Sequence, residues 1–182
     1  MTYTVYQHWD PLEVCVVGQA YPPEFYSWIK DSSTRKKFEQ VAQETEQDFQ
    51  ALIALLQSFD VQVLRPDIPD TFEDCMIDNV WVPPPVTPRD YFVQIHDKLW
   101  VCTEPNANHA HNAFKKQSAK TWTEYKAHDQ AKHNRKLKFY ADILAQCNVI
   151  ETTNTYISGC FVSVIGNDLF FATQTIFDDW DA

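Results

Sequence analysis

Arg89 and Asp90 are adjacent opposite charges that stand between two very different segments of the sequence. The proline-rich segment 83–88 precedes them, and because proline fixes φ and restricts the residue before it, this segment favours an extended chain. Alternating apolar residues at 91–95 follow, and after a short polar turn the apolar run 99–101 continues. This pattern predicts a β-hairpin with the charged pair at its mouth, where the pair is a candidate binding site.

The five cysteines are candidate nucleophiles, but their positions favour inert thiols. Cys15, Cys102 and Cys160 fall in or at the ends of predicted strands, where a buried thiol is the usual role. Cys75 lies in an acidic loop, which raises a thiol pKa, and Cys147 ends a predicted helix. The spacing contains no C-x-x-C pair, so reduced thiols and no catalytic cysteine are expected.

The histidines do not predict a metal site. His109 and His111 form the closest pair, with His128 downstream in the polar segment 104–129 and His133 just beyond that segment. Zinc sites use three or four ligands in tighter spacing, commonly with cysteine. A solvated loop is therefore expected here, and no metal.

Net charge and glycine content exclude several function classes. The formal charge of −10 argues against a nucleic-acid partner, even though basic and aromatic residues alternate between 115 and 139. The three glycines cannot build a G-x-G-x-x-G fingerprint or a P-loop, so a nucleotide cofactor is not expected. No cofactor of any other kind is predicted either. No apolar run reaches the ~20 residues of a membrane span, and no leader pattern is present. We therefore expect a cytoplasmic protein without a membrane partner.

The remaining elements predict an α/β fold. Strands are expected at 13–17, 61–64 and 149–151. Between the first two, an amphipathic helix of about 25 residues begins near three candidate N-caps and packs on a sheet. A shorter helix is expected at 133–146. The apolar positions predicted to face the sheet from the first helix are Phe38, Val41, Thr45, Phe49, Leu52, Ile53 and Leu56, with Glu39, Gln43, Glu46 and Gln50 opposite.

An internal repeat organises these elements, since the order helix, strand, hairpin occurs twice. The hairpin at 92–101 matches a second one at 161–171 with an offset of 69 residues for the first strand and 70 for the second. The second turn is accordingly expected to be one residue longer. An α/β unit that cannot bury its own sheet face must stack on neighbouring units.

Three motifs in order resemble the amidinotransferases, glycine- and inosamine-phosphate-specific enzymes of the pentein superfamily. They are W-D-P-L-E-V-C-V-V-G at 9–18, a strand ending in Arg65-Pro66, and P-R-D at 88–90. The resemblance implies a fivefold pseudosymmetric α/β propeller, present here as about two to three units. It also implies a single domain, 1–182, that is truncated at its C-terminus.

The resemblance also implies a reaction on arginine. A cysteine thiolate attacks the guanidinium carbon, and the amidino group passes to an amine acceptor, while paired carboxylates hold the guanidinium. Asp90 matches the aspartate of the P-R-D motif, with Arg89 beside it, although the two could instead form a local ion pair. The second carboxylate position falls at Ser158, which offers only a neutral hydrogen bond. The family histidine and cysteine would lie beyond residue 182.

Two functions are thus predicted from the sequence. The first is an amidinotransferase-like protein that is inactive as this chain alone, with a guanidino substrate bound through Asp90, Arg89 and Ser158. Its partners would be a C-terminal half or a second copy, because an apolar seam is expected where later units pack. The alternative is a non-catalytic guanidino-binding or interaction module of the same fold.

Overall fold

The computed structural model describes residues 4, 10–77, 80–101, 137–151, 162–165 and 168–171, which include one long helix and several short strands. In chain order the elements are β1 (Val14–Val16), α1 (Ser32–Ser58), β2 (Gln62–Leu64), β3 (Met76–Ile77), β4 (Val80–Trp81), β5 (Phe92–Ile95), β6 (Lys98–Val101), α2 (Ala141–Leu144), β7 (Val149–Glu151), β8 (Val162–Ile165) and β9 (Asp168–Phe171). Two compact units divide the chain, one within residues 12–88 and 135–143, the other within 1–11, 89–134 and 144–182. The single domain over 1–182 stays a prediction.

The first of these units is built on a β1–α1–β2 connection. β1 and β2 are parallel, with Val14 opposite Gln62 and Val16 opposite Leu64. The pairing continues past the strand ends, because the Val17 amide donates to the Leu64 carbonyl at 3.0 Å. Parallel neighbours require a long crossover, which α1 supplies. Both predicted strands and the long helix are confirmed.

The N-terminus of α1 is capped by Asp31, one of the three predicted candidates. Its carboxylate accepts a hydrogen bond from the Thr34 amide at 2.7 Å. Hydrogen bonding with the Thr34 side chain, and then with the Thr34 amide, holds the pKa of Asp31 below its usual range. The cap satisfies an amide that has no partner within the helix, and so fixes where the helix begins.

The buried face of α1 differs from the predicted one. Ala42 is the buried residue of the helix, whereas Val41 is 60% exposed and Leu52 is 42% exposed. The helix contacts β2. Since β1 and β2 have three residues each, they are too small to cover the whole apolar surface of a 27-residue helix. One apolar stripe is therefore packed and a neighbouring one is left exposed.

Asp60 ends α1 in the left-handed conformation, with φ of 59°. The Val61 amide donates to the Leu56 carbonyl and the Asp60 amide to the Gln57 carbonyl, both at 3.1 Å. These two bonds form a Schellman motif, in which glycine is the preferred residue at the Asp60 position.

We expect Asp60→Gly to raise the free energy of unfolding by about 0.5–1 kcal/mol, because glycine adopts positive φ without a Cβ penalty. Urea unfolding of the variant measures this. Asp60→Ala is the matched control, since it removes the same charge from the helix C-terminus but keeps the Cβ. If the alanine variant gains as much stability as the glycine variant, backbone strain is not the cause.

A buried aromatic cluster holds the loop after β1 in place. Tyr21 is 1% exposed, and its hydroxyl donates to the Val82 carbonyl at 2.9 Å. Its ring lies 5.4 Å from that of Phe25 and 6.1 Å from that of Trp81. Aromatic residues and prolines predict a loop over residues 21–30, and this loop contains a 3-10 turn at Pro23–Tyr26. Its aromatic residues mainly form core.

A small antiparallel hairpin, β3–β4, replaces part of the predicted acidic loop at 69–79. Met76 is opposite Trp81 and Ile77 is opposite Val80. A 3-10 turn, Glu73–Cys75, leads into it. Two-residue strands show no alternation that sequence patterns can detect, so this hairpin was missed.

The second unit contains both predicted hairpins. β5 pairs antiparallel with β6, and β7 adds to β6 in parallel, with Trp100 opposite Ile150. β8 pairs antiparallel with β9, Val162 facing Phe171 just as Phe92 faces Val101. The offset between the hairpins is therefore 70 residues throughout, and the predicted longer second turn is wrong. The sequence match had slipped the first strand by one residue, which in a strand exchanges the two faces.

The second helix is shorter than predicted within the described residues. The backbone leaves helical geometry at Phe139 and Tyr140 before α2 begins. The sequence spacing predicts one packed face made of Leu137, Tyr140, Ala141 and Leu144. Of these, Tyr140 is buried, together with Phe139 and Ile143, whereas Ala141 is exposed. Residues 102–136, which include the predicted polar loop, lie outside the described part of the chain.

Candidate functional site

The P-R-D motif forms a 3-10 turn, Pro88–Asp90, that ends immediately before β5. Asp90 is partly exposed and Arg89 is exposed, whereas Tyr91, the next residue, is 6% exposed. The buried tyrosine and the paired strand fix the backbone just after the carboxylate. Asp90 thus stands at the mouth of the β5–β6 hairpin, as predicted, and is partly exposed there.

The β5–β6 hairpin is a regular support for this turn. Four residue pairs align the strands from Phe92–Val101 to Ile95–Lys98. Val93 on β5 and Leu99 on β6 are buried, and because Val93 is opposite Trp100 whereas Leu99 is opposite Gln94, the two lie on opposite faces of the hairpin. His96 takes a φ of 53° in the connecting turn, where positive φ suits the twist of a two-residue hairpin.

Ser158, the third predicted binding residue, lies outside the described residues, as do Cys102 and Cys160. The structure brings Arg89 and Asp90 together on one turn. It does not test whether Ser158 joins them, so the predicted three-residue set stays a prediction.

The described cysteines do not have the electrostatics of a nucleophile. Burial raises the pKa of Cys15 on β1, and burial is also the main cause that raises the pKa of Cys147. Cys75 is fully buried, and its Sγ donates to the Thr71 carbonyl at 3.6 Å. A nucleophilic cysteine needs both a lowered pKa and access to its substrate. None of these three sites combines the two.

A second guanidinium–carboxylate arrangement, unpredicted, joins Arg65 to Glu46 on α1. The Arg65 Nη1 lies 2.7 Å from Glu46 Oε1, and Nη2 lies 2.9 Å from Oε2 and 2.7 Å from the Gly18 carbonyl. The guanidinium also lies over the Phe49 ring, 5.7 Å from its centroid. Hydrogen bonding from Arg65 is the largest cause that lowers the pKa of Glu46, and desolvation opposes it.

Sequence reasoning missed this pair because Glu46 was assigned to the solvent side of the helix. A signal did exist, since Glu46 lies four residues after Ala42 and three before Phe49, on the packed stripe. A carboxylate on a packed stripe needs a cationic partner. The bidentate geometry is that by which a protein would hold a guanidino ligand, but here the guanidinium is the chain's own.

A cavity of about 610 Å³ opens between α1 and the loop after β1. Tyr21, Pro22 and Ala42 line it together with several glutamine side chains, and Glu46 is the carboxylate in its wall. The volume suits a small molecule. Both Glu46 oxygens already accept hydrogen bonds from Arg65, so the carboxylate that the described residues contribute to this cavity is largely neutralised for a cationic ligand.

The described residues show neither a metal-binding cluster nor a membrane-spanning helix. They contain no group of three or more histidine, cysteine or acidic side chains that could hold a metal ion. Within the same residues, no helix combines the length and hydropathy of a membrane span.

Comparison with known proteins places the fold. No protein-family model and no curated protein matches the sequence. Among solved structures, the chain is similar to inosamine-phosphate amidinotransferase StrB1 from Streptomyces griseus, with a TM-score of 0.52 and 16% identity over 92% of this chain and 54% of that one. It is also similar to SxtG, an amidinotransferase of the saxitoxin biosynthetic pathway from Microseira wollei, with a TM-score of 0.52 and 14% identity over 92% of this chain and 54% of that one.

The predicted resemblance is confirmed at the level of fold. This chain spans about half the length of each matched structure. Closure into a fivefold propeller is not described, and at this identity the likeness concerns backbone arrangement. The chain therefore has the α/β fold of these two amidinotransferase structures, over a part of their length.

Proposed function

We propose that this chain belongs to an amidino-transfer system and holds a guanidino substrate through Asp90. One observation carries the proposal: on a backbone with the amidinotransferase fold, the P-R-D sequence ends in a partly exposed aspartate, Asp90, at the mouth of a regular hairpin. A guanidinium is planar and permanently charged, and a carboxylate can bind it through two parallel hydrogen bonds.

Amidino transfer needs more than substrate binding. A thiolate attacks the guanidinium carbon, the carbon–nitrogen bond to the donor breaks, and the donor leaves as an amine that takes up a proton. The acceptor amine then attacks the sulfur-bound amidino carbon, which releases the thiolate. The raised pKa values of Cys15 and Cys147 keep these thiols protonated, which favours a nucleophile elsewhere.

We further propose that the 182-residue chain alone binds guanidino compounds without transferring the amidino group. The donor is proposed to be arginine, and the missing groups to come from a second polypeptide or a longer form of this one. Detectable transfer from arginine to glycine by the purified chain would contradict this part of the proposal.

Asp90→Asn should weaken arginine binding at least about tenfold, because a neutral amide replaces the charged partner of the guanidinium at nearly unchanged shape. Isothermal titration of arginine into both proteins measures the change. Citrulline is the matched ligand control, since its ureido group has a similar size but no charge. Its affinity for the wild-type chain should be no higher than its affinity for Asp90→Asn.

The same titration separates the proposal from its alternatives. Binding that persists unchanged in Asp90→Asn would remove Asp90 from the site, and Arg89→Ala would then test whether the turn contributes at all. If arginine does not bind the wild-type chain, the guanidino proposal fails for this chain. Arginine binding without amidino transfer, even when the proposed second polypeptide is added, would favour the non-catalytic module.

A further inference from the structure

Helix α1 has a second apolar stripe, adjacent to the one that packs on the sheet. Its positions recur at spacings of three and four, which places them on one side of a helix. They are occupied by Phe38, Val41, Thr45, Asp48, Leu52, Leu55 and, just past the last turn, Phe59.

The apolar members of this stripe are exposed along the length of the helix. Phe38 is 44% exposed, Leu55 is 56% exposed and Phe59 is 73% exposed, in addition to the values already given for Val41 and Leu52. Single exposed apolar residues are ordinary, but two apolar groups on one helix face, separated only by Thr45 and Asp48, mark an interaction surface. The packed stripe of α1 already meets β2, so this row serves another contact.

We propose that the exposed stripe is the interface of a homodimer in which α1 helices of two copies pack antiparallel. In one register the stripe is complementary to itself. Phe38 meets Leu55 of the second copy, Val41 meets Leu52, and each contact occurs twice by two-fold symmetry. At the centre, Thr45 meets Asp48, where a hydroxyl can donate to a carboxylate. Val41, Leu52 and Leu55 thereby gain apolar partners, and Phe38, whose ring already lies 5.5 Å from that of Tyr26, gains a second one.

Charge selects the antiparallel orientation. The first turns of α1 contain Arg35, Lys36 and Lys37, and the other end of the helix is followed by Asp60. Antiparallel packing places the basic end of one helix beside the negative end of the other, where the helix dipole and Asp60 both attract it. Parallel packing would instead bring the two basic ends together.

Sedimentation of the full chain tests the interface. We expect dimers at tens of micromolar protein, and Leu52→Lys should raise the dissociation constant at least about tenfold, because each dimer then places two desolvated charges in the interface. Ala54→Lys is the matched control, since it adds the same charge at an exposed position on another face of the same helix. It should dimerise like the wild type. Circular dichroism checks that both variants keep their helix.

Cross-linking tests the register. Val41→Cys and Leu52→Cys chains, oxidised after mixing, should form a disulfide-linked dimer, because the two positions face each other. Either variant alone should give no more cross-linked dimer than the wild-type chain with its own cysteines. In the antiparallel register, like positions lie about 16 Å apart.

Several outcomes would overturn the proposal. A wild-type chain that stays monomeric at high concentration has no such interface, and its stripe would belong to another partner. Efficient self-cross-linking of Val41→Cys would demonstrate a parallel or shifted pairing. Equal effects of Leu52→Lys and Ala54→Lys would place the contact elsewhere. None of these results depends on whether the chain binds arginine.

Discussion

Gly18→Ala should lower the free energy of unfolding by about 3 kcal/mol or more, a large loss for a single added methyl group. A Cβ at this position would lie 2.3 Å from the Val86 carbonyl oxygen and 2.8 Å from the Val86 Cα. All of these are backbone atoms, so no side-chain rotation can relieve the clash. The proline-rich segment would have to move away from the end of β1.

Such a movement would disrupt contacts on both sides of the glycine. The Gln19 amide donates to the Pro85 carbonyl at 3.1 Å, and the Gly18 carbonyl accepts from Arg65. Pro85 is itself fully buried. Both the close approach and its hydrogen bonds therefore depend on the absence of a side chain at position 18, which explains the glycine after β1 in physical terms.

Urea unfolding of Gly18→Ala measures the effect, with Gln19→Ala as a control. The control keeps the backbone hydrogen bond to Pro85 and truncates a partly exposed side chain, so it should change stability by less than about 0.5 kcal/mol. If Gly18→Ala unfolds at the wild-type urea concentration, the segment around Val86 can shift freely, and the packing argument for this glycine is wrong.

The sequence was most informative where periodicity and turn chemistry agree. Asp31 and the heptad-like apolar spacing located α1, and proline followed by alternation located the β5–β6 hairpin. These signals are local, because caps, φ restrictions and strand alternation act within a few residues. The position of Asp90 just before the hairpin was predicted for the same reason, although the 3-10 turn at Pro88–Asp90 was not.

Contacts between distant residues were not predictable in the same way. Hydrophobicity gave α1 two apolar stripes, but the choice of the buried one depends on strands that are short and distant in sequence. The Arg65–Glu46 pair joins the residue after β2 to the middle of α1, 19 positions apart. Neither residue has a local pattern that names its partner, so both facts required the fold.

The Arg65–Glu46 pair should make stability depend on pH. Glu46→Gln should cost about 1–2 kcal/mol at neutral pH, between the values for exposed and buried pairs, because the Glu46 side chain is 36% exposed and that of Arg65 is 21% exposed. The folded-state pKa of Glu46 is lowered, so the unfolded chain binds this proton more readily. The stabilisation is therefore complete above the ordinary glutamate pKa and is lost as pH falls through the lowered value.

Glu39→Gln is the matched control, because it makes the same substitution on the same helix in a weaker pair. Arg35 and Glu39 are 3.6 Å apart, with both side chains more than a third exposed, so the loss should stay below about 0.5 kcal/mol. Urea unfolding at neutral and acid pH should show a deficit of Glu46→Gln that shrinks with acidification, until variant and wild type unfold alike. A deficit that is equal in the two variants, or that persists in acid, would mean that the charge on Glu46 does not hold Arg65 against Gly18 and α1.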